Sequence, residues 1–202
     1  MRATFLTILK VLCFVLLIPP VITTTMSFIG QLHSLPEGYQ RFFVWGLVSY
    51  LVMHLFILEP RPVYDFGQRL VAGAFRFLAP LAAAVPLAVP VYSVFFIIIL
   101  YFKFLLWPST ELGHCLIFFA GFMLSLHVIF NSKVLREGDK NGVKPDYFFP
   151  ASLAYLANLV IIALLLGLVF SEFSIPGFFA QALDMARGIY VSVFKQLFVP
   201  GS

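Results

Sequence analysis

Five stretches of this chain are apolar over the length needed to cross the hydrocarbon core of a bilayer, about 20 residues. They run from Phe5 to Ile29, Phe42 to Leu58, Pro86 to Trp107, Leu112 to Phe130 and Phe149 to Phe170. The pattern predicts an all-α integral membrane protein, a single polytopic domain over residues 1–202 with about five transmembrane helices. Pro19-Pro20 inside the first stretch predicts a kink, and the third opens with Pro86 and Pro90. Two further stretches break the pattern. Val63 to Val85 is apolar but interrupted by Asp65, Arg69 and Arg76. Ile175 to Phe198 carries Gln181, Asp184, Gly188 and Lys195 at steps of three, four and seven, the spacing of one helical face. With Phe179, Leu183, Tyr190, Phe194 and Leu197 elsewhere around the wheel, it reads as an amphipathic helix lying on the membrane or against a partner.

Composition agrees. Hydrophobic residues make up 61% and charged residues 11%, whereas a soluble domain carries roughly 25% charged residues. The net charge of +4 does not point to nucleic acid, because Lys and Arg in such a chain mostly set orientation. With a cytoplasmic N-terminus and five spans, the inner segments hold Arg2, Lys10, Arg61, Arg69, Arg76, Lys133, Arg136, Lys140 and Lys144. The outer segments hold Arg41, Lys103, Arg187 and Lys195, so the bias is nine against four of 13. Full crossing by Val63 to Val85 would put Lys133 to Lys144 outside and nearly abolish the bias. That segment is therefore read as re-entrant or interfacial, and the C-terminal helix is placed on the periplasmic side. Arg2 followed by Val11 to Ile22 has the outline of a signal peptide, but no small-x-small cleavage site follows, so it is read as a retained span. The loop from Asn131 to Asp146 is the only strongly polar stretch, long enough for a short docking loop.

Candidate chemistry is sparse. There is no Gly-rich phosphate loop, nucleophile elbow or Cys-x-x-Cys pair. Cys13 and Cys115 sit in apolar runs and read as small apolar residues. His54 and His127 lie near the ends of the second and fourth spans, which run in the same direction, so both approach one membrane face. They are the candidate cofactor-binding residues, for a haem, a pigment or a metal. The plainer reading, which we favour, gives them hydrogen bonds to neighbouring helices or interfacial water. Glu111-Leu-Gly-His114 has the Glu-x-x-His spacing of di-iron bundles, but only once. An N-cap at Ser109 or Thr110 with Glu111 in the first turn accounts for it without metal. Asn158 and Ser125 are placed to hydrogen-bond between helices, and Ala151, Ala154 and Asn158 share a small, polar face that reads as a packing seam.

The run from Gly46 through Ser49, Tyr50 and His54, then Glu59-Pro-Arg-Pro-Val-Tyr64-Asp-Phe66-Gly67, resembles bacterial membrane proteins of the site-2-protease-like zinc metallopeptidase group. Leu126-His127, Tyr147-Phe-Phe and Tyr155-Leu-Ala-Asn158 are similar to their C-terminal half, so the resemblance covers roughly residues 40–170. It implies a His-Glu-x-x-His motif after the second span, two imidazoles holding zinc and a Glu activating water. At that position this chain reads Gln68-Arg69-Leu70-Val71-Ala72, without ligands or base. The expected function is a non-catalytic subunit of the bacterial inner membrane, multi-pass, packing into or stabilising a larger complex. The alternatives are a metallopeptidase relative that binds substrates without cutting and a haem- or pigment-binding subunit. Expected partners are membrane lipid and other integral membrane subunits; no catalytic residue, metal site or cofactor is assigned.

Overall fold

The computed structural model describes residues 2–56, 60–77, 85–107, 110–137 and 147–198. Among them the chain is all-helical. The elements are α1 (Arg2–His33), α2 (Glu37–Phe56), α3 (Arg61–Ala74), α4 (Val85–Ala88), α5 (Val91–Leu106), α6 (Thr110–Glu137), α7 (Phe148–Val169) and α8 (Ile175–Phe198). Among the described residues, three segments are long and apolar enough to cross a membrane: Thr7–His33, Glu111–Arg136 and Phe148–Val169. Val91–Leu106 is apolar but shorter. The 20-residue α2 carries Gln40, Arg41, Tyr50 and His54 among its apolar positions.

Side-chain contacts fix the directions. α2 and α6 run parallel and cross where Gly46 lies against the Phe118 carbonyl and Gly121 against the Phe43 carbonyl. Glycine at both positions lets the two backbones touch, the usual device for close helix packing in lipid. α5 runs antiparallel to α6, with Phe96 stacked on Phe119 at 5.4 Å and Lys103 beside Gly113. α7 starts with Phe148 against Phe14 of α1, and the chain just beyond its end places Phe170 against Tyr39 and Phe104. The six longer helices thus alternate in direction. The core between them is built on Phe28, Phe43, Ile97, Leu100, Ile117, Ile162, Leu166 and Phe170.

Three expectations change. The apolar run from Pro86 is not one helix: Pro90 has no N–H to continue the ladder, and the chain breaks into α4 and α5. The polar loop starts later than Asn131, because α6 continues to Glu137; residues 138–146 lie outside those described, as do Leu58 and Ser109. α1 is one helical element that contains both Pro19 and Pro20. The carbonyl that Pro20 leaves without a partner is that of Leu16, and the Tyr190 hydroxyl of α8 donates to it.

The third change is the largest. α8 does not lie across the end of the bundle. It runs back along α1, antiparallel, over most of its length. Ser174 N donates to Gln31 Oε1 at 2.9 Å, Ser27 Oγ to the Phe178 carbonyl at 2.7 Å, and Tyr190 to Leu16. The physical reason is its buried face, where Phe178 packs into the core and Ala182 and Ala186 present little bulk to α1. Asp184 and Lys195 are exposed, whereas Gln181 Oε1 accepts from Ser27 Oγ of α1 at 3.3 Å.

α3 and α4 sit together at the end where α2 and α6 finish and α5 begins. Tyr64, Gly67 and Val71 form the buried stripe of α3. The Tyr92 hydroxyl of α5 donates to the Val63 carbonyl at 2.7 Å.

Candidate functional site

The densest polar cluster forms around the break between α4 and α5. A helix through Pro86 and Leu87 would bond their carbonyls to the N–H groups of residues 90 and 91. Pro90 has none, and Val91 N turns to the Val89 carbonyl at 2.9 Å. Two buried carbonyls are left over, each a cost of several kcal/mol if unmet in a lipid environment. Side chains meet both. Gln68 Nε2 donates to the Pro86 carbonyl at 2.8 Å. The Leu87 carbonyl accepts from Asn131 Nδ2 at 2.6 Å, Asn158 Nδ2 at 3.1 Å and His127 Nε2 at 3.2 Å. Tyr64 closes the network by donating to Asn131 Oδ1 at 2.6 Å.

This geometry assigns the histidines. A carbonyl only accepts, so His127 carries its proton on Nε2 and spends that nitrogen on Leu87. His54 stacks on Tyr50 at 5.9 Å between centroids and meets the edge of Phe130 at 6.3 Å. Phe130 stacks on Tyr64 at 5.1 Å, and Tyr64 reaches His127 at 5.9 Å. The two imidazoles do come to one end of the bundle, as the shared direction of α2 and α6 requires. They are linked through two aromatic rings rather than facing each other across a common space.

The other expected residues separate. Ser125 Oγ donates across to the Leu47 carbonyl of α2 at 3.1 Å. Ala154 and Asn158 are buried in the seam. Glu111 is exposed, and His114 lies between the rings of Phe42 at 4.8 Å and Tyr39 at 4.7 Å, an aromatic packing role. Gln68 and Arg69 share α3, Gln68 turned inward to Pro86 and Arg69 outward. Cys13 is half-buried and Cys115 exposed.

Sequence reasoning missed a second feature, on the opposite side of α1. The ties between α1 and α8 place Asp184 and Arg187 level with the stretch from Pro19 to Ile22, the middle of the apolar span Thr7–His33. Arg187 stands thirteen residues beyond Ser174, roughly 20 Å along a helix axis. Both side chains are exposed, and no hydrogen bond or ion pair among the described residues engages either. Beside them a groove of about 430 Å³ opens between the two helices, lined by Thr23, Met26, Met185, Gly188, Ile189 and Ser192. The signal was in the sequence as Gly188 and Ser192 one turn apart, but only the position of α8 along α1 gives it meaning.

No protein-family model matches this sequence, and the searches of curated proteins and of solved structures give no match either.

Proposed function

We propose that this chain is a non-catalytic, multi-pass membrane subunit that docks through its α1–α8 face onto a transmembrane helix of a larger complex. One observation carries the reading: an exposed carboxylate and an exposed guanidinium, Asp184 and Arg187, stand beside the middle of Thr7–His33, the longest of the three candidate spans among the described residues. A charge facing hydrocarbon at mid-depth costs about 2.5–3.5 kcal/mol on insertion scales. A partner helix offering polar or opposite charge removes that cost. The groove beside them supports the same reading, since Gly188 and Ser192 give a close-approach track of the kind helices use in lipid. So does the sparse cover of α1, whose most apolar window is 6% buried against 50% for the corresponding window of α6.

In this reading α1, α2, α5, α6 and α7 cross the membrane, α8 returns alongside α1, and α3 with α4 stays at one side. The segment from residue 63 to 85 does not cross. Ten of the 13 Lys and Arg residues, now including Lys195, then belong to the side of the N-terminus. That bias makes it the cytoplasmic side of a bacterial inner membrane.

The test is purification in mild detergent. The wild-type chain should carry a stoichiometric membrane protein with it. Asp184→Leu with Arg187→Leu should release that partner while the chain keeps or raises its own unfolding midpoint. A wild-type chain that isolates alone and monodisperse would defeat the proposal.

A further inference from the structure

The other edge of α1 borders a second space. α1 and α2 splay apart, and a cleft of about 630 Å³ opens between them, floored by α6 and α7. Its walls are largely apolar: Phe28 and Leu32 from α1, Val44 and Leu47 from α2, Leu124 from α6 and Leu159 from α7. Ile29, Val44 and Leu51 line it and are also exposed, so its mouth faces sideways from the bundle, toward the surrounding lipid. The volume lies within the range of about 300–1,000 Å³ in which small molecules are held.

His33 and Gln40 line the cleft where α1 ends and α2 begins. Deeper in, the inner wall carries Thr25, Ser125, Tyr155 and Asn158, and the protons of these four are all committed. Thr25 donates to the Val21 carbonyl at 2.7 Å, so the 3.0 Å contact with Tyr155 uses the Tyr155 proton. Ser125 donates to Leu47. Asn158 spends its amide on the Leu87 and Ala154 carbonyls. What remains on this inner wall is acceptors alone: lone pairs on Tyr155 and Ser125, backed by Asn158 Oδ1, a buried atom with no hydrogen-bond partner among the described residues. Phosphates and carboxylates would meet these oxygens with more lone pairs. A saturated chain would leave them unmet, at a cost.

We infer that the cleft between α1 and α2 binds a neutral lipid bearing a hydroxyl donor, with its apolar body against α1 and α2 and its hydroxyl directed to the wall of Tyr155, Ser125 and Asn158. This site is on the far edge of α1 from the α8 face and does not depend on the partner proposed above.

The experiment uses the full chain in phosphatidylcholine nanodiscs. A photoreactive long-chain alcohol is compared with its methyl ether, which keeps the chain and loses the donor. Saturable labelling of α1 or α2 should require roughly tenfold more ether than alcohol, the worth of one hydrogen bond in a dry site. Val44→Trp, at an exposed lining position, should abolish labelling without shifting the unfolding midpoint. Tyr155→Phe should bring alcohol and ether closer together. Equal labelling by the two probes would mean an unselective acyl-chain slot and overturn the inference. Labelling that survives Val44→Trp would place the lipid elsewhere and also overturn it. Absence of saturable labelling by either probe would mean that no such lipid enters the cleft.

Discussion

Replacing Gly46 with Ala tests the central crossing of the bundle. A Cβ at Gly46 would sit 2.0 Å from the Phe118 carbonyl oxygen and 2.9 Å from Phe122 N. Both are backbone atoms of α6, so no side chain can swing aside. Ordinary contact begins at 3.4 Å, and α2 must therefore retreat by about 1.4 Å, or tilt by an equivalent amount. A gap of 0.5–1 Å already forfeits about a quarter to a half of a dispersion contact. The side chains that would lose contact are Phe43 and Tyr50 on α2 and Ile117 and Leu124 on α6, all buried. Overpacking of this kind costs about 1–3 kcal/mol or more, against which Ala gains about 1 kcal/mol of helix propensity. With a backbone clash at the upper end of that range, we expect a net loss of up to about 2 kcal/mol. Gly121→Ala, whose Cβ would lie 2.3 Å from the Phe43 carbonyl, should lose a similar amount. Because both act at one crossing, the double variant should lose less than the sum. Gly73→Ala is the control: nothing lies within 4 Å of its Cβ, and it should be neutral or slightly stabilising. The measurement is unfolding by SDS in mixed micelles, followed by helical circular dichroism and the fluorescence of Trp45, one residue from the crossing. If Gly46→Ala unfolds at the same midpoint as Gly73→Ala, the two helices do not touch there and the reasoning fails.

Tyr190→Phe leaves the Leu16 carbonyl unmet beside Pro20 and should cost about 1–3 kcal/mol; hydrogen exchange should rise around residues 13–20 and nowhere in α6. Lys103 is 5% exposed, lies over the Phe104 ring at 4.6 Å and has no hydrogen-bond partner among the described residues. Lys103→Met should raise the unfolding midpoint by about 1–3 kcal/mol, the gain expected when an unpaired buried charge is replaced by an apolar isostere; a lowered midpoint would mean that the ammonium has a partner in the membrane. Gln68→Ala strips the Pro86 carbonyl of its donor and should loosen α3, seen as faster proteolysis around residues 69–77 at a cost of about 1–3 kcal/mol. Gln68→Glu, which cannot donate when ionised, should behave like Ala.

The helical class and the positions of α1, α6 and α7 were legible because an apolar run of bilayer length needs no tertiary information to be read. The direction shared by α2 and α6 followed from alternation. What could not be read was how breaks and polar residues would find one another. Pro90 shows it well. Its effect on the ladder is local, but the groups that answer it come from α3, α6 and α7, at Gln68, Asn131, His127 and Asn158. His127 was a candidate ligand because an imidazole in an apolar run is costly, with a hydrogen bond to a neighbouring helix the favoured reading; here the cost is met by a carbonyl 40 residues away. The course of α8 was missed for a different reason. Its polar positions mark a face, but the face that docks is the one bearing Ala182 and Ala186, and small residues give a weak periodic signal.

A simple inventory joins these observations. The prolines that break the ladders release backbone carbonyls inside an apolar bundle, and side chains must cover them. Tyr190 covers Leu16, Gln68 covers Pro86, and His127, Asn131 and Asn158 share Leu87. These include residues a catalyst would have recruited, and they are committed to the backbone. If the polar groups existed only to satisfy the fold, none should be left over at depth. Yet Asp184 and Arg187 stand uncommitted beside α1, the inner wall of the α1–α2 cleft offers acceptors without donors, and Lys103 of α5 is buried without a hydrogen-bond partner among the described residues. The first two border α1, which has the least protein cover of the three candidate spans. In the reading proposed above, those two are kept for other molecules. That is the ground for reading α1 as the contact helix, with a protein partner on its α8 edge and a hydroxyl-bearing lipid on the other.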